Sequence, residues 1–214
     1  MATTADGSGA ANLPKTMRAL VLTSRSSPQT VEVIPTPHPT LGSAIVRIHA
    51  VKIISYAREV FNGKRPYPFP TPLVPGSSAI GHIAATGPDT TKLKVGDLVF
   101  VDTLIRGRDD SSVLYLAGVQ EGFSAGSQKL MQDVFRDWTL AEYCRAPLEN
   151  LARLDERRLT GDPRDGGLGF SLEKLCYMGT LLIPYGGLKD IELQPGQTVI
   201  GACEVMHPYR EVSI

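Results

Sequence analysis

The amino-acid sequence predicts a mostly β fold, an irregular β-domain followed by the opening of an α/β unit. Three observations carry this expectation. Short apolar or alternating runs bounded by turn residues recur from Met17 to Ala146. Glycine and proline, 21 and 16 of 214 residues, make up about one residue in six, above the roughly 12% of an average chain. The one extended helical pattern and the one buried-type strand start come late, after Ser171.

Residues 1–14 lack apolar periodicity and read as a disordered tail. Met17–Leu22 and Thr30–Ile34 are strands separated by a Ser/Pro turn, and Pro35, Pro37 and Pro39 stop further ladder pairing. Ala44–Ile53 alternates with a period near two and predicts a long strand. Ser55–Phe61 is a short helix ended by Asn62-Gly63, and the prolines from Pro66 to Pro75 make an extended loop. Strands follow at Ile80–Thr86 and Asp97–Val101. Residues 104–138 form a long insertion with a helix near Ser127–Phe135, and so long a connection is usually functional or mobile. Thr139–Ala146 is a strand, and residues 160–169, rich in Gly, Pro and Asp, are a linker or surface loop. Ser171 is placed to cap a helix running to Leu182, and Pro195-Gly196-Gln197 leads into a strand at Thr198–Ile200.

At 214 residues the chain has room for one large domain, or for one domain and part of another. Lysine plus arginine number 22 and aspartate plus glutamate 22, and this zero formal charge argues against a nucleic-acid binder. Cys144, Cys176 and Cys203 are odd in number and far apart, forming neither a CxxC pair nor a disulfide framework, which fits a reducing compartment. No apolar run approaches a membrane span, the first twelve residues carry no secretory h-region, and a soluble cytoplasmic protein is expected. No Gly-x-Ser-x-Gly elbow exists and the four histidines stand far apart, so no nucleophilic triad is arguable.

One set of spacings is specific. Pro72-x-Val74-x-Gly76 is followed by Gly81 and Gly87, and then by Lys94-Val95-Gly96-Asp97-x-Val99. Trp138-Thr139-Leu140-Ala141-Glu142-Tyr143 precedes Pro147, Glu149, Asn150 and Leu151, and Pro184–Leu188 and Leu193–Val199 come later in consistent order. Together these blocks resemble the medium-chain dehydrogenase/reductase superfamily, the zinc-type alcohol dehydrogenases and their zinc-free relatives. The resemblance implies a GroES-like irregular β-barrel domain followed by the truncated start of a Rossmann domain. The implied division is a tail at 1–14, a catalytic domain at 15–168 with insertion 104–138, and an incomplete nucleotide-binding domain at 169–214.

The resemblance also says where metal ligands would stand. The zinc members' Cys-Gly-Thr/Ser-Asp segment is matched by Ile54-Ser55-Tyr56-Ala57, and their Gly-His-Glu by Gly76-Ser77-Ser78. The third ligand falls near Gly179, with Cys176 close but out of register. Isoleucine has no donor atom and serine hydroxyls are poor zinc ligands. His82 lies five positions past the ligand place and reads as a polar strand residue. Residues 87–138 hold no cysteine, so the four-cysteine structural zinc is not expected either. The resemblance therefore narrows to the zinc-free branch, quinone- or enoyl-reductase-like enzymes acting on a small carbonyl or enone with hydride from NAD(P)H.

Without zinc, another group must polarise the substrate. Tyr56 occupies the place of the family's proton-relaying hydroxyl, and Ser77 and Tyr67 are further hydroxyls on loops expected to line the cleft; a phenol of pKa about 10 is a weak acid but a good donor to a developing enolate or alkoxide. Packing beside Phe61 is the alternative for Tyr56, and a plain surface residue the alternative for Arg58, which could hold an acidic substrate group. The strand at Thr198–Ile200 should open into a glycine loop, yet Gly201-Ala202-Cys203-Glu204 has one glycine and an acid that would repel phosphate, and Pro208 follows. The cofactor implied by the family is thus not supported by this stretch, and the last thirteen residues read as an unrelated continuation. The contrasting expectation is a non-catalytic ligand- or partner-binding β-domain, its interface formed by the strand at Thr198–Ile200, which could also drive oligomerisation, and by Leu172, Leu175 and Leu182.

Overall fold

The computed structural model describes residues 13–25, 27–192, 194 and 196–198. The chain divides into a unit ending at Thr180 and a second unit from Leu181 onward.

The first unit is built on a five-stranded antiparallel sheet. Its strands are β3 (Ser43–Val51), β4 (Ala79–Thr86), β5 (Leu98–Val101), β8 (Tyr143–Pro147) and β9 (Leu151–Arg153), in the order β8-β3-β4-β5-β9. Two ribbons accompany it: β1 (Thr16–Val21) with β2 (Thr30–Pro35), and β6 (Leu104–Arg106) with β7 (Leu114–Leu116). In β1 the period-two pattern is plain, since Met17, Ala19 and Val21 are buried while Thr16 and Arg18 are exposed. β5 is apolar and buried on both faces, as a strand covered on two sides must be, while β4 alternates from Gly81 on between buried residues and the partly exposed His82, Ala84 and Thr86. The ladder between β3 and β4 slips twice, between Ile45 and Val46 and between Ile48 and Ala50, which bends the sheet. Gly81 lies at the second slip, and a Cβ there would collide with the Arg47 carbonyl, so the close approach of the two strands requires glycine. The Lys94–Asp97 turn between β4 and β5 is closed by the Asp97 carboxylate, which accepts from the Lys94 N–H at 2.9 Å.

The strands from β1 to β5 and α1 (Ala57–Phe61) fall where the sequence pattern puts them, to within a few residues. Other segments differ. The insertion 104–138 is not a free loop. It carries β6, β7 and α2 (Ala125–Asp133), and it delivers Tyr115, Ala117, Val119, Met131 and Trp138 to the main core beside Leu22, Val46, Leu73 and Val99. Helix α2 starts at a reciprocal cap, in which Ser124 Oγ accepts from the Ser127 N–H at 3.1 Å and Ser127 Oγ from the Ser124 N–H at 3.2 Å. The strand expected at Thr139–Ala146 begins only at Tyr143, because the preceding backbone is held by other partners: Trp138 N–H by the Val74 carbonyl and Leu140 N–H by that of Pro75, both at 3.0 Å.

The stretch 160–169 is not wholly irregular, since α3 (Glu156–Thr160) runs into it and a 3-10 turn forms at Pro163–Asp165. The single helix expected from Ser171 is two helices, α4 (Leu172–Leu175) and α5 (Met178–Asp190). Leu175 is buried and Leu172 partly so, against Ile80, Leu98 and Phe100. They close a second core cluster of the first unit and are not the free interface expected of them. In the second unit Leu181, Leu182, Ile183, Tyr185 and Leu188 are exposed along α5. Apart from Thr198, the expected strand Thr198–Ile200, with its proposed role in oligomerisation, lies outside the described residues, as do Cys203, Glu204 and Pro208 and, but for residues 13 and 14, the expected N-terminal tail. Among the described residues no helix is long and apolar enough to cross a membrane.

Candidate active site

Tyr56 ends the turn between β3 and α1 and precedes the helix as its N-terminal flanking residue. That turn is set by Val60, which is fully buried and pins the helix to the core, and by Phe61, whose ring meets Phe69 edge-on with centroids 5.8 Å apart. The proline-rich loop then returns Tyr67 to the same place. The Tyr56 and Tyr67 rings lie 6.1 Å apart at 82°, an edge-to-face pair. Arg65 covers them, its guanidinium carbon 4.3 Å from the Tyr56 ring centre and 5.7 Å from that of Tyr67, and Glu59 holds Arg65 at 3.2 Å. Burial, followed by the neighbouring Tyr67, pushes the Tyr56 phenol above its ordinary range. At neutral pH it is therefore a hydrogen-bond donor and not a phenolate. Arg58, on the outer side of α1, is exposed.

Ser77 is placed differently. It is 2% exposed. Its hydroxyl donates to the Lys52 carbonyl, its N–H donates to Thr139 Oγ1 at 3.1 Å, and its carbonyl accepts from the Thr139 hydroxyl at 2.7 Å. Gly76, just before it, has Thr139 packed where a Cβ would stand. The Gly76-Ser77 segment is thus a buried seam between the loop before β4 and the segment before β8, and the hydroxyl is committed to structure.

The three places that the resemblance assigns to a catalytic zinc converge around one residue. Lys52 follows β3, and its N–H bonds the Ser78 carbonyl at 2.9 Å. Its ammonium reaches the Gly179 carbonyl at 3.0 Å. The open face of Gly179 lies against Ser78 Oγ and the Lys52 stem, while Ile54 packs into the main core. No thiolate, imidazole or carboxylate stands at positions 54 and 77, the third place falls near Gly179 with Cys176 alone close by, and this donor set does not fit zinc. The Cys176 thiol is pushed up by burial and lies in the second core cluster. His82 does more than decorate a strand: its Nδ1 meets His49 Nε2 at 2.8 Å and its Nε2 meets Glu156 at 3.2 Å. A cavity of about 580 Å³ lies elsewhere, lined by Leu104, Ile105, Leu130, Val134, Phe135 and Pro147, and none of the candidate hydroxyls faces it.

Lys52 and Arg65 carry no motif. The only local signal is a lysine that interrupts the apolar run from Ala50 to Ile54, and an arginine set between Lys64 and the Pro-Tyr-Pro turn.

Residues 40–156, just over half of the chain, match the alcohol dehydrogenase GroES-like domain, and the chain belongs to that family. It is similar to an alcohol dehydrogenase of Rhizobium meliloti, 27% identical over 192 residues, covering 86% of this chain and 50% of the relative. It is also similar to an alcohol dehydrogenase of Geobacillus stearothermophilus, 29% identical over 140 residues, covering 65% of this chain and 40% of the relative. The chain therefore spans about half the length of the curated relatives it matches or less. Among solved structures, CAD from Helicobacter pylori complexed with NADP(H) superposes with a TM-score of 0.63 at 12% identity, over 83% of this chain and 49% of that one.

Proposed function

We propose that this chain is the substrate-side domain of a zinc-independent, NAD(P)-dependent oxidoreductase acting on a small carbonyl or enone. The carrying observation is the convergence of Tyr56 and Tyr67 under the Arg65 guanidinium, at the turn where the family places its proton-relaying hydroxyl. The nicotinamide, when bound, supplies or accepts the hydride. Tyr56 holds its proton and donates a hydrogen bond to the substrate oxygen, where charge develops. Tyr67 fixes the Tyr56 ring edge-on, and Arg65, ion-paired to Glu59, packs over the Tyr56 ring. Ser77 positions the Lys52 backbone and does not touch substrate.

Zinc independence rests on the side chains at positions 54 and 77 and on the third place near Gly179, which together offer no zinc ligand set. Residues 198–208, with one glycine and Glu204 where a phosphate loop is expected, support the further reading that this chain does not hold a dinucleotide unaided.

The test is binding. Saturation-transfer NMR with cyclohexenone as the probe is expected to place it against Tyr56 and Tyr67, and Tyr56→Phe is expected to weaken it about fivefold or more, the value of one hydrogen bond. Binding unchanged in Tyr56→Phe, or none in the unmodified protein, overturns the assignment. Calorimetry with NADPH and NADH addresses the cofactor: micromolar binding overturns the reading that the chain is incompetent alone.

A further inference from the structure

We propose that the Lys52 ammonium replaces the zinc ion of the metal-dependent relatives as the positive charge that receives the substrate oxygen, so that an oxyanion site lies between Lys52 and Gly179. This inference rests on the reading of the chain as a dehydrogenase substrate domain.

Four observations lead to it. The two positions matched to zinc ligands hold an isoleucine and a serine, the third falls near Gly179, and all of them lie about Lys52: Ile54 two residues on, Ser77 through its hydroxyl on the Lys52 carbonyl, and Gly179 through its own carbonyl on the ammonium. The position of the amine is built and not incidental. The Lys52 backbone is held from both sides, by Ser77 at its carbonyl and by Ser78 at its N–H, and its stem lies along Gly179, where a side chain would displace it. Among the described residues no carboxylate pairs with Lys52, and Gly179 stands in the first turn of α5, where a helix carries partial positive charge and not negative. Among the described residues the ammonium, which has three N–H groups, gives one to Gly179 and has no other acceptor. Partial burial pulls this ammonium below the ordinary lysine range, with no charged neighbour contributing, in line with a cation held without a counter-ion.

A half-buried cation with free donors and no carboxylate is an anion acceptor. A carbonyl oxygen gaining charge during hydride transfer is such an anion. Lys52 would stabilise it by charge and by hydrogen bonding, and no bond to the lysine forms or breaks.

The probe is acetate, titrated into protein whose lysines carry 13C-methyl groups, with the Lys52 signal identified by its loss in Lys52→Arg. The Lys52 signal is expected to move more than those of the exposed Lys64 and Lys92, together with the backbone amides of Ser78 and Gly179. In Lys52→Met the amide shifts are expected to fall at least about tenfold in apparent affinity while the melting temperature holds, and Lys52→Arg, which keeps the charge, is expected to restore part of the binding. No selective shift at Lys52, or equal affinity in Lys52→Met, overturns the proposal. Cyclohexenone separates the two readings. Acetate at Lys52 with no enone at Tyr56 sustains the oxyanion site and sinks the substrate-domain reading. Enone at Tyr56 with no acetate effect does the reverse.

Discussion

Ser77 and Lys52 exchange the roles that residue types alone would give them. A serine on a glycine-flanked loop invites a catalytic reading, and a lysine at a strand end invites a surface one. Burial decides otherwise: a hydroxyl 2% exposed and bonded to a carbonyl has no proton to lend. Ser77→Ala removes that bond from part-buried backbone and leaves the Lys52 carbonyl without its donor. The expected cost is about 1–2 kcal/mol in urea denaturation, and a loss of acetate affinity that tracks the loosened Lys52. A variant as stable as the parent would show that the bond contributes nothing. The sequence singles out Tyr56 and Tyr67 as phenols beside a helix start and in a proline loop, and the structure brings their rings within 6.1 Å of each other. Arg65 and Lys52 are not singled out, because their importance is created by pairing: the return of the proline loop stacks Arg65 on Tyr56, and the packing of residues 176–179 against β4 sets Gly179 on Lys52.

At the scale of elements, legibility followed strand length. β3 and β4, nine and eight residues long, are plain in the alternation and apolar runs of the sequence. β6 and β7 have three residues each, too few to show a period, and they stand on either side of the turn that Gly107 and Val113 close. The buried positions Tyr115, Ala117 and Val119 do alternate, but a turn at Gly118 interrupts the signal. The single helix expected from Ser171 breaks at Cys176-Tyr177 because Leu175 and Cys176 are drawn into the core with Ile80. The insertion is consequently structural, which Trp138 can test. It is 1% exposed and packs in the main core with Leu73 and Met131. Trp138→Ala is expected to cost about 3–5 kcal/mol, read as a lowered denaturation midpoint. An unchanged midpoint in Trp138→Ala would show that the insertion does not contribute to the core.

For the whole molecule, the titrating groups bound a pH range of stability. The His49 imidazole is held below its ordinary 6.5, by burial first and then by His82 and Arg47, with Glu156 opposing. The unfolded chain therefore takes up a proton that the folded chain refuses, and stability falls as pH drops below about 6.5. Glu142 is held low by the Arg18 N–H and guanidinium, so its contribution is lost only further down, below the ordinary 4.5. On the alkaline side, burial raises Tyr115 far above 10.0 and Cys144 far above 9.0, with Asp137 adding to the latter. Both must stay protonated in the fold, so the unfolded chain releases protons first and stability falls as pH climbs past about 9. Lys52, held below 10.5, pulls weakly the other way over the top of this range. The expected profile is a plateau from about pH 7 to 8.5 with a shoulder on either side. Urea midpoints at about pH 5.5, 7.5 and 10.5 trace it, and two variants separate its limbs. His49→Gln is expected to flatten the acid shoulder, and Tyr115→Phe, which leaves the ring in the core but has no proton to lose, the alkaline one. Tyr115→Phe with an unchanged alkaline limb would assign that loss to Cys144, and an unchanged limb in Cys144→Ala as well would mean that neither buried acid governs it.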